Sequence, residues 1–331
     1  MIQTLRLTMK NVLCLCVLAL VGVSQAPPPQ SARPAKAPRE FALQAKSPQF
    51  WQLVDRHATV SVLASGLGFT EGPVWDPAGF LYVSDEVQNR IYVIDSKGGR
   101  RTLIELGNPD GNTYDKDHHL IDCASDLRAV IQVDPNGTYK VLVDRYQGKR
   151  LNTPNDIVLG PDGALYFTDP TLDLPKTEKQ ELPFQGVYRL GRNGTLDLLI
   201  KDLQQPNGLA FSPDGRRLYV DDSKTREIHV YDFKGGGVSN GRLFGTEARS
   251  EATGDGTADG MRLDMSGNLF VTGPGGVWVW SPQGEHLGTI QLPEQPANLT
   301  WGGPDYQTLF ITAGPLVYEL KTTTHGFVPY R

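Results

Sequence analysis

The stretch Asn207-Gly-Leu-Ala-Phe-Ser-Pro-Asp-Gly-Arg-Arg-Leu-Tyr-Val-Asp-Asp222 decides the fold, because its pattern recurs along the chain. It contains a polar residue, a short apolar strand, an Asp-Gly type turn and a second strand, which is the pattern of a β-hairpin. Clear copies span residues 71–85, 155–169 and 259–273, and two weaker copies begin at Asp110 and Asn298. The chain therefore contains six related units.

The polar residues that begin the six units are separated by 39, 45, 52, 52 and 39 residues. Periods of about 40 to 50 residues are typical of one four-stranded propeller blade. Blades arranged around a central channel bring equivalent positions of their innermost strands to one mouth. The sequence thus predicts an all-β, six-bladed β-propeller in which six oxygen-bearing side chains face one another: Glu71, Asp110, Asn155, Asn207, Asp259 and Asn298.

The sixth unit lacks an outer strand, because the chain ends soon after Leu316-Val-Tyr-Glu-Leu-Lys. An unassigned segment with strand-like alternation, residues 59–64, precedes the first unit. We expect this segment to close the ring as the outer strand of the last blade, which would protect a sheet edge.

The first 26 residues differ from the rest of the chain. Arg6 and Lys10 precede the apolar run 12–23, and Ser24-Gln-Ala offers a small-x-small cleavage site. This pattern predicts a signal peptide over residues 1–26, and hence a periplasmic or secreted bacterial protein. The run is shorter than the roughly 20 residues that a transmembrane helix needs, although an uncleaved anchor is the alternative.

Residues 27–48 are rich in Pro and Ala and predict a disordered tether, which leaves residues 49–331 as a single propeller domain. Removal of residues 1–26 would leave Cys123 without a disulfide partner in the chain. It would also change the formal net charge from -5 to -7, since it removes Arg6 and Lys10. A mildly acidic protein without a basic stripe gives no support for nucleic-acid binding, and we expect no membrane insertion of the mature domain.

Four of the six mouth positions have the composition of a cation site. Glu71, Asn155, Asn207 and Asp259 together provide hard oxygen ligands with a formal charge of -2, which suits Ca²⁺ and also Mg²⁺ or Mn²⁺. Zn²⁺ is less natural without His or Cys at these positions. The alternative is that these polar side chains only satisfy backbone groups at the channel mouth.

Five sequence motifs occur in an order and spacing that resemble the gluconolactonase branch of the regucalcin, gluconolactonase and luciferin-regenerating enzyme family. They are Thr70-Glu-Gly-Pro-Val-Trp, Gly148-Lys-Arg-Leu-Asn-Thr-Pro-Asn-Asp, Glu181-Leu-Pro-Phe-Gln-Gly-Val-Tyr-Arg, Pro206-Asn-Gly-Leu-Ala-Phe-Ser-Pro-Asp and Ala258-Asp-Gly-Met. The similarity extends over about residues 63–320. It implies a six-bladed propeller with one catalytic divalent ion, Ca²⁺ as the expected species, held by Glu71, Asn155, Asn207 and Asp259.

The resemblance also implies hydrolysis of a sugar lactone, a small-molecule substrate. In that reaction the cation polarises the lactone carbonyl and activates water, and Asp259 acts as a ligand alone or as ligand and general base. One alternative is a hydrolase of other lactones, aryl esters or organophosphates that uses the same site. Another is a binding propeller in which the ion is structural, because propellers serve many functions.

Substrate contacts are expected near the mouth and on two insertions, residues 170–186 and 248–258, which are candidates for pocket walls or a lid. Where related family members often have Cys-Glu-His, this chain has Cys123-Ala-Ser, a difference that would alter substrate contacts more than ligation. The residues predicted to contact the substrate are Asp110, Asn112, Arg150, Asn152, Phe184 and Asn298.

Overall fold

The computed structural model describes residues 39–248, 250, 251, 254 and 256–330, all of which belong to one compact unit, Pro38–Arg331. The predicted signal peptide and the predicted tether up to residue 38 lie outside the described residues. Within the described part of the chain, no helix has the length and apolar character needed to cross a membrane.

Two strands and one short helix precede the first sheet: β1 (Ala42–Ala45), α1 (Phe50–Leu53) and β2 (Val60–Ala64). Blade 1 contains β3 (Thr70–Asp76), β4 (Phe80–Asp85), β5 (Arg90–Asp95) and β6 (Arg100–Glu105). Blade 2 contains β7 (Pro109–Tyr114), β8 (Leu120–Ala124), β9 (Ala129–Val133) and β10 (Tyr139–Val143). A hairpin follows, formed by β11 (Arg145–Tyr146) and β12 (Lys149–Arg150).

The remaining strands form four further blades. Blade 3 contains β13 (Ile157–Leu159), β14 (Leu165–Asp169), β15 (Gly186–Leu190) and β16 (Leu196–Ile200). Blade 4 contains β17 (Pro206–Phe211), β18 (Arg217–Asp222), β19 (Glu227–Lys234) and β20 (Gly237–Thr246). Blade 5 contains β21 (Met261–Leu263), β22 (Leu269–Gly273), β23 (Gly276–Trp280) and β24 (His286–Gln291). Blade 6 contains β25 (Asn298–Gly302), β26 (Thr308–Ala313) and β27 (Leu316–Lys321).

Each blade is an antiparallel meander whose first strand is the innermost. The innermost strands contact one another in a closed cycle, from β3 through β7, β13, β17 and β21 to β25, which in turn contacts β3. The chain is therefore the six-bladed β-propeller that the repeats predict. The predicted outer segment lies in blade 6, where β2 pairs antiparallel with β27 and Val60 stands opposite Leu320.

The predicted tether, residues 27–48, extends too far along the chain, because the propeller begins before residue 48. Its last part contains β1, which pairs with β24 as a fifth strand of blade 5. Phe41, Leu43 and Ala45 alternate along this segment and pack against the hydrophobic core, and the Gln44 side chain donates a hydrogen bond to Gln291 (2.9 Å). The Pro/Ala-rich composition before residue 39 obscured this short alternation.

The chain after β27 runs across the end of the innermost strands opposite to Glu71. The amide of Met265 donates to the carbonyl of His325 (2.8 Å), and the amide of Phe327 donates to Leu263 (2.9 Å). Tyr330 packs edge-to-face on Tyr114, the last residue of β7. This C-terminal segment therefore lies across the end of the channel opposite to Glu71, and the mouth near Glu71 is the end that it does not cover.

Gly326 tests the packing of this segment, because an added Cβ would overlap the fully buried ring of Trp301. We expect Gly326→Ala to lower the free energy of unfolding by about 1 to 3 kcal/mol through overpacking. The matched control is Gly237→Ala, where the nearest heavy atom to the added carbon is 3.8 Å away. Urea unfolding followed by circular dichroism measures both, and equal stabilities of the two variants would contradict this account.

Candidate metal centre at the channel mouth

A pair of residues, one polar and one glycine, begins four of the six innermost strands: Glu71-Gly, Asp110-Gly, Asn207-Gly and Asp259-Gly. The glycine is required by close approach of neighbouring strands. A Cβ on Gly208 would overlap the carbonyl oxygen of Asp259, and one on Gly260 would overlap the Asn298 side chain. Since the strands converge in this way, the carboxyl groups of Glu71, Asp110 and Asp259 are close enough to interact electrostatically.

The four predicted ligands occupy the starts of β3, β17 and the segments leading into β13 and β21. Glu71 Oε2 accepts a hydrogen bond from the Gly72 amide (2.7 Å). Asn155 Nδ2 donates to Asp110 Oδ2 (2.7 Å), which leaves the amide oxygen of Asn155 directed away from Asp110. Glu71, Asn155 and Asn207 are buried, whereas Asp259 is partly exposed.

Burial dominates the electrostatics of these carboxyl groups. It raises the pKa of Glu71 to about 8, against the opposing hydrogen bond from Gly72 and with a further increase from Asp156. Burial, followed by the negative charge of Glu71, raises the pKa of Asp259 well above its usual range. The same cause, followed by the charge of Glu86, raises the pKa of Asp110. These groups can be ionised together only if a cation compensates their charge.

The donor set fits a divalent cation. Asn207 Oδ1 is buried without a hydrogen-bond partner among the described residues. A buried amide oxygen without a partner costs folding free energy unless a ligand binds to it. Two carboxylates and two amide oxygens are the donors that Ca²⁺, Mg²⁺ and Mn²⁺ prefer. Glu71, Asn155, Asn207 and Asp259 would hold such an ion.

Asn298 also lies among these groups, since its side-chain amide lowers the pKa of both Glu71 and Asp156. Asp156 is a buried residue that the sequence analysis did not select, and its Oδ2 lies 3.7 Å from Arg262 Nη1. The available signal was its place directly after Asn155 in the Asn-Asp motif. Arg262 therefore brings a positive charge close to the candidate ligands.

Two further carboxyl groups near the mouth were missed. Burial raises the pKa of Glu86, the residue after β4, to about 9, and the charges of Glu71 and Asp173 add to this increase. Asp173 lies on the first insertion, residues 170–186, and its charge also raises the pKa of Asp110. The insertion thus brings a carboxyl group close to the mouth, where it was expected to contribute a wall.

Two of the predicted substrate contacts are occupied by internal hydrogen bonds. Asn112 Nδ2 donates to the carbonyl of Gly72 (3.0 Å) and to Ser84 Oγ (2.6 Å), which joins blade 2 to blade 1. Asn152 Nδ2 donates to the carbonyls of Asp169 (2.9 Å) and Phe184 (3.0 Å). These bonds fix both amide nitrogens, whereas the Oδ1 atoms of both asparagines are buried without a hydrogen-bond partner among the described residues.

Arg150 and Phe184 are likewise held by the structure. The Arg150 guanidinium donates to Glu178 on the first insertion (3.4 Å) and to the carbonyl of Leu127 (3.1 Å). The Phe184 ring is half-buried and packs against the hydrophobic cluster of blades 2 and 3. Both residues thus anchor the insertion. Of the predicted substrate contacts, Asp110 and Asn298 are the two that interact electrostatically with the candidate ligand Glu71.

A different acidic group lies on the surface of blade 2. The side-chain ligand atoms of three of the described residues, Asp115, Asp117 and His119, all lie within 4.8 Å of one another. These residues could therefore hold a metal ion. Asp115 Oδ2 already contacts His119 Nδ1 (2.9 Å), and Asp117 pairs with Arg192 (3.1 Å). These partners compensate the charge, so the channel mouth is the stronger candidate for a divalent ion.

The fold is a six-bladed propeller, and its channel mouth carries oxygen donors of the kind that bind a divalent cation. Residues 69–314 match the family model described as "SMP-30/Gluconolactonase/LRE-like region". The chain belongs to this family, as its five motifs predict.

Named relatives support this membership. The chain is 36% identical over 312 residues to a gluconolactonase of Zymomonas mobilis, a match that covers 85% of this chain and 86% of that protein. It is 25% identical over 264 residues to a pentonolactonase of Haloferax volcanii, covering 73% and 80%. A solved structure of a gluconolactonase from Xanthomonas campestris superposes with a TM-score of 0.79 at 31% identity, covering 87% of this chain and 99% of that one.

The raised pKa of Glu71 predicts how the stability of the metal-free protein depends on pH. Because its pKa is about 8 in the folded state and 4.5 for an unperturbed glutamate, the folded protein binds more protons between these values. Stability should therefore fall as the pH rises through this window, by up to about 1.4 kcal/mol per pH unit. Glu71→Gln removes this contribution and should show a shallower dependence in urea unfolding of chelator-treated protein at pH 5 to 8.

The surface variant Asp117→Asn is the control and should retain the native slope. Ca²⁺ should stabilise the native protein more at pH 8 than at pH 5, since the ion competes with protons for the same carboxylate. Identical slopes for native protein and Glu71→Gln would contradict the assigned pKa.

Proposed function

We propose that this chain hydrolyses a neutral sugar lactone at the channel mouth, with a divalent cation held by Glu71, Asn155, Asn207 and Asp259. The observation that carries the proposal is the convergence of these four oxygen donors, one of them the unpartnered Asn207 Oδ1, in a chain 36% identical to a named gluconolactonase. Ca²⁺ is the ion that the donor set favours, because all four ligands are hard oxygens.

A bound divalent cation supplies Lewis acidity toward an ester carbonyl and lowers the pKa of a coordinated water. The protein contributes the orientation of its own donors. The hydrogen bond from Asn155 Nδ2 to Asp110 fixes the side-chain amide, so that its oxygen faces away from Asp110. The hydrogen bond from the Gly72 amide fixes one carboxylate oxygen of Glu71.

Asp259 is the residue that we assign as general base. It is the most exposed of the four ligands, so water and substrate can reach it. In the metal-free protein, desolvation of its carboxyl group and the nearby charges of Glu71 and Asp221 raise its pKa. A carboxylate within reach of a water molecule can act as a general base. The carboxylate would accept the proton of the attacking water while the lactone ring opens.

The acidic surroundings of the mouth favour a neutral substrate. Glu86, Asp110 and Asp173 lie within electrostatic reach of one another, and carboxyl oxygens accept hydrogen bonds from sugar hydroxyls. A lactone that carries a carboxylate or a phosphate would make ionisation of these groups still less favourable. We therefore place aldonolactones ahead of anionic lactones as substrates.

Export is a separate proposal that rests on sequence alone. The basic residues Arg6 and Lys10, the apolar run 12–23 and the small residues 24–26 support a cleaved signal peptide. Amino-terminal sequencing of the protein recovered from a bacterial periplasm tests it, with Pro27 as the expected first residue. Recovery of a chain that begins at Met1 would support the uncleaved alternative.

The test of the lactonase proposal is hydrolysis of D-glucono-1,5-lactone by metal-stripped protein, measured as acid release above the spontaneous rate. Addition of Ca²⁺, Mg²⁺, Mn²⁺ or Zn²⁺ should restore turnover and rank the ions. Asp259→Asn should lower kcat by at least about 100-fold, since it removes both a charged ligand and the base, and it should weaken Ca²⁺ binding while the circular dichroism spectrum is unchanged.

The surface variant Asp117→Asn should keep metal-restored activity and thereby separates the mouth from the surface group of Asp115, Asp117 and His119. Full activity of Asp259→Asn would overturn the site assignment. An ion that binds without opening any aldonolactone would overturn the substrate class, and aryl esters and organophosphates would then identify the alternative hydrolase.

A further inference from the structure

The second strands of the six blades share one equivalent position. In four of the blades the residue at this position carries a hydroxyl group. Thr272 Oγ1 donates to the carbonyl of Ala297 (2.6 Å), and Thr312 Oγ1 donates to the carbonyl of Asn298 (3.1 Å). Blade 4 places Asp221 at this position, and Asp221 is fully buried. The four hydroxyl residues are Ser84, Thr168, Thr272 and Thr312.

A second buried carboxylate, Glu247, lies near Asp221. Glu247 follows β20 and is also fully buried. A Cβ on Gly273 of β22 would overlap both carboxylate oxygens of Glu247. Since Gly273 has no positive φ, its backbone conformation does not require glycine, and the missing side chain makes room for the carboxylate between blades 4 and 5.

All four carboxylate oxygens of Asp221 and Glu247 lack hydrogen-bond partners among the described residues. The Gly208 amide approaches Asp221 and lowers its pKa slightly, but burial and the charge of Glu247 raise that pKa well above its usual range. The positive charge that reaches Glu247 is that of Arg226, whose side chain donates no hydrogen bond to it within the described structure. Two buried carboxylates without donors are costly unless a positive ion or a proton compensates them.

A main-chain carbonyl oxygen also lies close to the Asp221 carboxylate. The main-chain carbonyl of Asp259 and Asp221 Oδ2 are both near neighbours of the position that a Cβ on Gly208 would occupy. The carbonyl therefore lies on the same side of β17 as the Asp221 carboxylate. Carboxylates together with a main-chain carbonyl are typical ligands of Ca²⁺.

We propose that Asp221 and Glu247 hold a second divalent cation, Ca²⁺ or Mg²⁺, between blades 4 and 5 and behind Asp259. This ion joins β18 to the segment after β20, where the second insertion begins. The Ser223 hydroxyl, which donates to the carbonyl of Ala258 (3.0 Å), connects the same two regions beside Asp259. The site is distinct from the channel mouth and does not depend on the lactonase proposal.

The experiment counts ions per chain in protein equilibrated with Ca²⁺ or Mg²⁺ and freed of excess ion by gel filtration, using elemental analysis and calorimetric titration. We expect two ions in the native protein and one in Asp221→Thr, which supplies the hydroxyl that other blades have. Glu247→Gln should also bind one ion. The matched control is Asp122→Asn, a fully buried carboxyl in blade 2 that lies near the Ser84 hydroxyl (3.5 Å), and it should bind two.

Glu71→Gln separates the two sites, because it should remove the mouth ion and retain the second. The combination of Glu71→Gln and Asp221→Thr should then bind none. If the mouth site were wrong, Glu71→Gln would leave the count unchanged while Asp221→Thr still lowered it by one. An ion count that neither Asp221→Thr nor Glu247→Gln lowers would overturn the second site and assign the pair a shared proton instead. Should Asp221→Thr fail to fold, Glu247→Gln gives the same comparison.

Discussion

The close approach of six innermost strands at the channel mouth is the constraint on which the rest of the structure depends. Side chains beyond glycine cannot be accommodated at Gly208 or Gly260, because neighbouring backbone or side-chain atoms occupy the space. The residues just before these glycines, Asn207 and Asp259, must therefore direct their polar groups into the channel. The repeated pairing of a polar residue with glycine is thus a packing requirement first, and the cation site uses the positions that packing leaves.

The same crowding explains why the carboxyl groups at the mouth have raised pKa values. Desolvation raises the pKa of Glu71, Glu86 and Asp259 together, so the folded protein without a cation must hold protons or unfavourable charge there. Binding of a divalent ion would relieve this cost, and the folding energy of the surrounding blades maintains the arrangement. A negative charge brought by an anionic ligand would add to this cost.

The sequence predicted what depends on local pattern. Hairpin turns and strand alternation recur in each unit, so the six blades and the polar starts, Glu71 among them, follow from the sequence. Glu86 and Asp173 were missed because their approach to the mouth depends on how a strand end and an irregular insertion fold over blades 1 and 2. The strand β1 and the packing of Tyr330 depend on tertiary contacts with distant blades, which no local period reveals.

A repeat fold supplies its own comparison, because each blade shows what the common architecture requires at a given position. A hydroxyl at the position of Thr168 satisfies the backbone of the adjacent strand, so a hydroxyl is sufficient for blade structure. Asp221 departs from this requirement at the cost of burying a charge. Gly273, one residue after the equivalent position of blade 5, lacks a side chain and so leaves room for Glu247. These two differences occur at one place. The missing side chain of Gly273 makes room for Glu247, but the negative charges of Asp221 and Glu247 are not balanced there. This indicates that a positively charged partner completes the site. Cys123 also differs from the hydroxyl residues of the other blades, but it is buried in an apolar cluster, and no neighbour among the described residues plays the part of Glu247. The same reasoning therefore does not make Cys123 a ligand-binding position.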